Sequence, residues 1–386
     1  MDYLVIARKY RPQTFSEVAG QEVVARTLTN AIRGHRVHHA YMFTGPRGVG
    51  KTSMARILAK ALCCESGPTT EPCGVCEHCK RIADSAHPDV TEVDAARFGN
   101  KEDITRLLED VGFQPQMARV RVFILDEVHM LTGHSWNALL KVLEEPPPHM
   151  RFIFATTEVD KVLPTVLSRC QRFDFRSLDL PTIVTRLKDI AGKEGATLPE
   201  PVLFRIARAA GGGMRDAQTL MDQLIAVSDG AANEDDLDLL LGAARGDELR
   251  ELLKLTLAGS SAPALARLDG CCAAGASPAT ILDQLIEHVR AVMLAQACGP
   301  DAAAVRRLGL PDERIRELAA AATPEKVLRA AQVLTGTQQN IRHGTDPRLA
   351  LEMALVRIAR LGEVVDLERL VQRIERAEAG SAAGPR

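Results

Sequence analysis

The segment from Gly45 to Thr52 has the residue types that bind the phosphates of a nucleotide. Its sequence, GPRGVGKT, fits the pattern G-x-x-x-x-G-K-[ST] and lies between an expected strand and an expected helix. The glycines let successive backbone N–H groups face one point in front of a helix N-terminus, where anions bind. Lys51 would reach the β- and γ-phosphates, and Thr52 would ligate Mg²⁺. The candidate phosphate-binding residues are Gly45, Pro46, Arg47, Gly48, Val49, Gly50, Lys51, Thr52 and Ser53.

Two adjacent carboxylates, Asp126 and Glu127, follow the apolar run VFIL. Phosphoryl transfer needs a carboxylate for the metal and a group that positions water. Asp126 would therefore hold the Mg²⁺ shell, and Glu127 would polarise the attacking water. Neighbouring residues of a strand point to opposite faces, so the pair needs a bend to serve one site. A solvated strand end with two acids is the alternative, and the phosphate loop upstream favours the catalytic interpretation.

Four cysteines follow the phosphate loop at a spacing that suits a metal ion, C-x8-C-x2-C-x2-C: Cys64, Cys73, Cys76 and Cys79. Four thiolates with closely spaced pairs are ligands of tetrahedral Zn²⁺, and no open coordination position is implied, so we expect a structural zinc site. Cys63 could replace Cys64 as the first ligand, and His78 could replace a thiol. Reduced thiols without a metal are the alternative.

The elements that must position these residues alternate between strands and helices from about residue 37 to 175. The runs HAYMFTG, VRVFILDE and RFIFATT are expected strands, and KTSMARILAKAL and HSWNALLKVLEEPP are expected helices. This alternation predicts a parallel sheet with flanking helices, in which the buried strands are continuously apolar. We expect this α/β domain to span residues 1–179, with the zinc insert at about 63–80.

Helical periodicity replaces the strand signal after residue 179, with Pro near helix starts and Gly near helix ends. We expect a small helical lid domain at 180–242 and an all-helical domain at 243–366. In the latter, the segment TILDQLIEHVRAVML places six apolar residues on one helix face: Ile281, Leu282, Leu285, Val289, Val292 and Met293. The small and polar residues of 367–386 predict a flexible tail.

The composition of the 386 residues is that of a soluble, helix-rich globular protein, with 46% hydrophobic, 25% charged and 4% aromatic residues. The net charge of -2 gives no overall attraction to a polyanion, so nucleic-acid contacts must come from a local basic surface or another chain. No run approaches the ~20 apolar residues of a membrane span, and the apolar run near the start is too short for a signal peptide. We therefore expect a cytoplasmic protein with no membrane partner.

Taken together, these segments resemble the gamma/tau subunit family of bacterial DNA polymerase III, which are AAA+ clamp-loader ATPases. The resemblance is carried by the phosphate loop, the segments LDEVHML, NALLKVLEEPP, ATTE, LSRC and GGGMRDA, and the four-cysteine insert after the first helix of the α/β domain. It begins at ARKYRPQTFSEVAGQ and continues to IRHGTDPRLALEMALVRIARL, so it covers nearly the whole chain except the tail.

The resemblance implies an AAA+ P-loop domain with a zinc-knuckle insert, a helical lid domain and an all-α collar domain for oligomerisation. It also implies an ATP-driven motor subunit in a hetero-pentameric ring that opens the sliding clamp and loads it onto primed DNA. ATP, Mg²⁺ and Zn²⁺ are the implied cofactors, and the DNA contacts would be mainly to the backbone. No constellation for polymerase chemistry is visible beyond the single ATP site.

Three site residues follow from the resemblance alone. Thr157 in ATTE is similar to the sensor of the γ-phosphate, with Thr156 as the near alternative. Arg169 in SRC is similar to an arginine finger that reaches a neighbouring subunit's nucleotide, with a surface salt bridge as the alternative. Arg215 in GMRD is similar to the lid arginine that touches phosphates of its own subunit, although it could simply start a helix after three glycines.

The resemblance further implies an adenine pocket and contacts within the collar. Family members line the adenine pocket at positions that match four residues, and a structural turn is the alternative: Tyr10, Arg11, Pro12 and Val18. In the collar, Arg342, Asp346 and Glu352 are expected to serve helix pairing.

Two other functions share part of this pattern. A ring-forming DNA helicase or branch-migration ATPase would have the same loop, acids and arginine finger, but it would not need a clamp. A scaffold that binds nucleotide without hydrolysing it is the other alternative. Glu127, Thr157 and Arg169 argue against the scaffold, because binding alone does not require them.

Overall fold

The structure, a computed structural model, describes residues 4–96, 112–228, 232–306 and 312–362. The chain divides into two compact units, Met1–Ala232 and Asn233–Arg386. The expected tail, 367–386, lies outside the described residues. No described helix combines the length and the apolar composition needed to cross a membrane.

The first unit contains a sheet of five parallel strands: β1 (Ala40–Thr44), β2 (Val90–Asp94), β3 (Arg121–Asp126), β4 (Met150–Thr156) and β5 (Gln171–Asp174). Their order is β2-β3-β4-β1-β5, and every adjacent pair is parallel. The expected parallel sheet is therefore confirmed, including the strands at β1, β3 and β4. Strands β2 and β5 were not predicted individually, because both lie at sheet edges and lack a continuous apolar run.

Helices cover both faces of this sheet. Helices α1 (Ile6–Lys9) and α2 (Glu22–Arg33) precede β1, and α3 (Lys51–Cys63) and α4 (Glu77–Ala83) follow it. Helix α5 (Gly133–Glu144) precedes β4, and α6 (Pro164–Leu167) follows it. One face packs its alternate side chains, such as Phe43 and Ile124, against α2 and α3. The opposite face packs Met42 and Phe123 against α5 and α6. The central strands contain continuous apolar runs, such as VFIL in β3 and FIFA in β4, because both faces are buried.

Three helices follow β5 in the described part of the first unit: α7 (Leu180–Glu194), α8 (Glu200–Ala209) and α9 (Met214–Val227). The Asp179 carboxylate accepts a hydrogen bond from Thr182 N at 3.0 Å and caps α7, which ends at Gly195 in the left-handed region with φ of 70°. The expected lid pattern of helices with glycine near their ends holds for α7, which ends at Gly195, and for α8, which ends just before Gly211, whereas α9 ends at Ser228. Their position after β5 places the lid next to the carboxyl edge of the sheet, where Arg215 N lies 3.4 Å from Gly48 O.

The second unit is helical throughout its described residues: α10 (Glu234–Leu241), α11 (Gly246–Leu257), α12 (Ser261–Ala273), α13 (Pro278–Cys298), α14 (Ala303–Arg306), α15 (Asp312–Ala321), α16 (Pro324–Arg342) and α17 (Pro347–Ala359). The apolar stripe expected on α13 is buried, except that Met293 is only partly buried. Asp346 caps α17, accepting from Leu349 N at 2.8 Å, and Glu352 pairs with Arg348. Helix α10 falls within the range assigned to the lid, and the domain boundaries remain predictions.

A buried carboxylate fixes the chain that leads into β3. Asp89 is fully buried and accepts hydrogen bonds from the backbone N–H groups of Gln116, Met117 and Ala118 at 2.7, 2.7 and 2.8 Å. Burial by itself would raise the pKa of Asp89, but these three donors outweigh it and hold the pKa below its ordinary value. The ionised form therefore stabilises the folded state.

We predict that Asp89→Asn lowers the free energy of unfolding of the first unit by about 1–3 kcal/mol at pH 7, because an amide cannot accept all three hydrogen bonds. Since the folded pKa is depressed, this difference is full above about pH 4 and is lost as the pH falls through the folded value. Urea unfolding of both proteins between pH 3 and 7 measures it. A difference that does not change with pH would contradict the assignment.

Candidate active site

The phosphate loop runs from the end of β1 to the first residue of α3 and requires glycine at three positions. Gly45, Gly48 and Gly50 have φ values of 139°, 77° and 103°. Such values favour glycine, and a side chain at Gly45 would also collide with the carbonyl oxygen of Phe175. The loop backbone can therefore turn closely around an anion in front of α3.

Lys51 is folded back onto the loop that precedes it. Its side chain is buried, and Nζ donates to the carbonyl oxygens of Gly45 and Pro46, both at 2.7 Å. Burial lowers the pKa of Lys51, and the nearby Glu127 and Asp126 carboxylates partly offset that effect. The ammonium group thus lies inside the loop, within reach of the position where phosphates would bind.

The two expected acids lie beside the first turn of α3. Thr52 Oγ1 donates to Asp126 Oδ2 at 2.6 Å, and Glu127 N donates to Asp126 Oδ1 at 2.9 Å. The backbone bends at Glu127, which has φ of 50° and ψ of 43° in the left-handed region. The bend supplies what the sequence analysis required for two consecutive acids to serve one site.

The two adjacent threonines at the end of β4 have different surroundings. Thr157 Oγ1 donates to Glu127 Oε2 at 3.1 Å, so this hydroxyl faces the acids. Thr156 is fully buried, and its Oγ1 contacts His129 Nδ1 at 3.1 Å and accepts from Glu158 N at 3.0 Å. Of the two sensor candidates, Thr157 is the one with its hydroxyl against Glu127.

Arg169 lies away from its own chain's phosphate loop. It comes just before β5, at the amino edge of a parallel sheet whose carboxyl edge holds the loop. Its guanidinium contacts Glu144 Oε1 and Thr165 O, both at 2.8 Å, and the side chain is 35% exposed. The structure therefore brings Arg169 together with none of the other candidate catalytic residues.

A cleft next to the loop collects the other expected nucleotide contacts. Tyr10, Arg11, Pro12 and Val18 line it together with Gly48, Val49, Gly50, Thr52, Ser53 and Arg215. Burial lowers the pKa of Arg11, the neighbouring Arg56 and Arg215 lower it further, and Glu92 acts in the opposite direction. The cleft therefore combines apolar walls with a concentration of positive charge, which suits a base attached to phosphates.

Sequence reasoning missed several lining residues, which are Ala7, Glu17, Ala19, Leu178, Arg186, Met214 and Gln218. Gln218 left a signal, because it is a polar residue on the buried face of α9 beside Ala217 and Met221. The others are ordinary residues of the α1 region and the lid, and only the fold brings them to the loop.

The four expected cysteines form one compact group of sulfur atoms. The Sγ atoms of Cys64, Cys73, Cys76 and Cys79 lie within 4.8 Å of one another. The Cys64 and Cys76 sulfurs are 4.0 Å apart, close to the about 3.8 Å that a tetrahedron with 2.3 Å Zn–S bonds requires. Backbone N–H groups point at two of the sulfurs, from Cys76 to Cys73 at 3.3 Å and from Cys79 to Cys76 at 3.4 Å. This group can hold a metal ion.

The two alternative ligands lie outside this group. Cys63 points into the core, with its Sγ 3.8 Å from Val120 O, and burial raises the pKa of its thiol to about 12. His78 Nδ1 lies 2.8 Å from His87 Nε2 instead of facing the sulfurs. The geometry therefore favours Cys64 as the first ligand and a set of four thiols.

The parallel sheet, the glycine loop at the start of α3 and the helices that follow β5 define an AAA+ P-loop domain. Three family models match the chain in succession. They are "DNA polymerase III, delta subunit" at residues 20–179, "DNA polymerase III clamp loader subunit, ATPase lid domain" at 182–230 and "DNA polymerase III subunits gamma and tau domain III" at 233–374.

Individual proteins agree with these matches. Escherichia coli DNA polymerase III subunit tau is 39% identical over 361 residues, which are 92% of this chain and 55% of that protein. Bacillus subtilis DNA polymerase III subunit tau is 37% identical over 383 residues, 98% of this chain and 68% of that protein. The chain therefore belongs to the DNA polymerase III gamma/tau subunit family, and the resemblance is confirmed. It spans just over half the length of the Escherichia coli relative.

A solved structure, the RuvB Holliday junction branch migration motor of Thermotoga maritima, has a TM-score of 0.46 and 18% identity to this chain. The similarity covers 64% of this chain and 79% of that one, and it is too weak to distinguish functions.

We predict that Cys64→Ala lowers the zinc content of the purified protein well below one ion per chain, because three thiols remain. Cys63→Ala should keep its zinc, since that sulfur faces the core. Metal analysis of both variants measures this, and melting temperatures separate loss of metal from loss of fold. Equal zinc loss in the two variants would contradict the ligand assignment.

Proposed function

We propose that the chain is an ATP-hydrolysing subunit of the DNA polymerase III clamp loader. In this function it assembles with other loader subunits into a hetero-pentameric ring, opens the sliding clamp and loads it onto primed DNA. The observation that carries the proposal is the meeting of Thr52, Asp126, Glu127 and Thr157 at one edge of the sheet, beside the lysine-containing loop. Membership of the gamma/tau family supports the assignment to the loader.

The loop residues fit a magnesium nucleotide. Among the described residues, Lys51 Nζ donates only to two carbonyl oxygens of the loop, so β- and γ-phosphate oxygens can take over its hydrogen bonds. Thr52 and Asp126 offer a hydroxyl and a carboxylate, the oxygen ligands that Mg²⁺ prefers, and they already lie 2.6 Å apart. Bound there, Mg²⁺ would neutralise charge that develops on the phosphates.

Hydrolysis would depend on Glu127 and Thr157. The bend at Glu127 turns its carboxylate toward the loop, where it can orient a water molecule for attack on the γ-phosphate. The Thr157 hydroxyl contacts the same carboxylate and can instead donate to the γ-phosphate. Through this exchange of partners Thr157 would distinguish the triphosphate from the diphosphate.

Positive charge from two arginines would complete the site. Arg215 lies in the cleft at the start of α9, so the lid can be drawn toward the phosphates of its own subunit. Arg169 lies at the opposite edge of the sheet, where it can reach only the nucleotide of a neighbouring subunit. Its contact with Glu144 is partly exposed and therefore weak, so it can exchange for a phosphate. A finger supplied in trans couples hydrolysis to the shape of the ring.

The remaining parts of the proposal concern the base and the cysteines. Tyr10, Arg11, Pro12 and Val18 would hold adenine in the cleft beside the loop. The four thiols would hold Zn²⁺ in a closed set of ligands, which stabilises the insert and takes no part in hydrolysis. Contacts to primed DNA would be mainly to its backbone.

The proposal is tested by ATP hydrolysis of the full-length chain assembled with its loader partners. Rates are measured without additions, with the clamp, with primed DNA and with both. We expect the rate with both to exceed the sum of the separate stimulations. A motor that moves along DNA would respond to DNA alone, and a scaffold would release no phosphate in any of the four conditions.

We predict that Lys51→Ala abolishes nucleotide binding, because the phosphates lose their central cation. Arg169→Ala should bind nucleotide normally but lose stimulated hydrolysis by roughly 10³-fold, since a finger acts on the transition state. Arg172→Ala, at an exposed arginine nearby that pairs with Asp174, is the matched control and should behave like the wild type. Equal loss of nucleotide affinity in the Lys51 and Arg169 variants would contradict the trans role.

A further inference from the structure

His129 lies next to the proposed catalytic centre and has no role in the function described so far. It belongs to the 3₁₀ turn Val128–Met130, which follows the bend at Glu127. Its side chain is only 9% exposed, although a histidine near a strand end can easily reach solvent. Both ring nitrogens make polar contacts.

The imidazole bridges the ends of β3 and β4. Nδ1 lies 3.4 Å from Glu127 Oε2 and 3.1 Å from Thr156 Oγ1. Nε2 lies 3.3 Å from Glu158 Oε1, and Glu158 also pairs with Lys161 at 2.8 Å. One ring therefore connects the carboxylate that would polarise water with the segment that carries the γ-phosphate sensor.

The contacts on Glu127 are asymmetric. Thr157 Oγ1 and His129 Nδ1 both face Oε2, at 3.1 and 3.4 Å. Among the residues that the structure describes, no hydrogen bond or ion pair reaches Oε1 of Glu127. A carboxylate held through one oxygen can present the other to water.

We propose that His129 is a positioning residue that keeps the Glu127 carboxylate aimed at the attacking water when Thr157 turns to the γ-phosphate. The inference rests on the proposed function, because it assumes that Glu127 acts in hydrolysis. A hydroxyl has one proton and cannot donate to Glu127 and to a phosphate at once. When Thr157 leaves, His129 Nδ1 can shift its single proton from Thr156 Oγ1, at 3.1 Å, to Glu127 Oε2, at 3.4 Å, as the site closes.

Glu158 gives this role its rigidity. Donation to Glu127 requires a proton on Nδ1, and donation to the Glu158 carboxylate requires a proton on Nε2. A ring that makes both contacts carries both protons and has its plane fixed. Because Glu158 directly follows Thr157, movement of the sensor and the orientation of the ring are linked through two consecutive residues. The arrangement makes the position of Glu127 depend on what the sensor binds.

The test compares ATP hydrolysis by the assembled complex carrying wild-type chain, His129→Ala, His129→Asn or His129→Gln, with Met130→Ala as control. Met130 is exposed on the same turn, and its backbone N–H, which Met130→Ala retains, donates to the carbonyl oxygen of Glu127 at 2.9 Å. His129→Ala should lower kcat roughly 10- to 100-fold, the effect of a misplaced group. KM and the affinity for a fluorescent ATP analogue should change by less than about twofold, since ground-state binding is untouched.

The two amide variants separate positioning from a structural role. The asparagine amide nitrogen falls near the position of Nδ1, so His129→Asn should recover most of kcat. The glutamine amide nitrogen falls near Nε2, so His129→Gln should remain close to His129→Ala. Met130→Ala should match the wild type.

These measurements test the proposed function and the positioning role of His129 separately. If the wild-type complex hydrolyses no ATP, the proposed function fails. If the wild type is active and His129→Ala has the same kcat, the positioning role is overturned. The same holds if His129→Asn is as slow as His129→Ala, or if the loss lies in KM and nucleotide affinity instead of kcat.

Discussion

The hydrogen bond from Thr52 Oγ1 to Asp126 Oδ2, at 2.6 Å, is the contact on which the site depends. It joins the first turn of α3 to the end of β3, although β4 separates β1 from β3 in the sheet. Only a helix that starts at the carboxyl edge and packs across the sheet can make this contact. The parallel arrangement then adds Thr157 at the end of β4. The phosphate loop, Asp126 and Thr157 meet because the parallel strands end at one edge of the sheet.

The loop is polar and partly buried, and its groups satisfy one another. Lys51 would be costly to bury alone, but two backbone carbonyls accept its hydrogen bonds, and two carboxylates lie near. In the proposed function, a nucleotide would therefore replace existing contacts of the same kind instead of entering an apolar space. The guanidinium of Arg169 also has a partner already, because it pairs with Glu144, and a phosphate can displace that carboxylate.

The sequence was sufficient to predict the motifs of the site, but it was not sufficient to choose between adjacent candidate residues. The phosphate loop, the two acids and the four-cysteine pattern follow from short motifs whose backbone requirements are local. The choice between Cys63 and Cys64 depends on where α3 ends. Cys63 is the last helical residue and faces the core, whereas Cys64 lies just after the helix. The choice between Thr156 and Thr157 depends likewise on the last residue of β4. Strand β2 could not be predicted locally, because it is defined by its pairing with β3.

The most direct measurement of the central claim is binding of Mn²⁺ in place of Mg²⁺, followed by electron paramagnetic resonance with and without ATP. We expect a tightly bound ion that requires ATP, loss of that ion in Asp126→Asn, and retention in Glu127→Gln, because Thr52 bonds the Asp126 carboxylate. Equal binding of Mn²⁺ and ATP by Asp126→Asn and the wild type would contradict it.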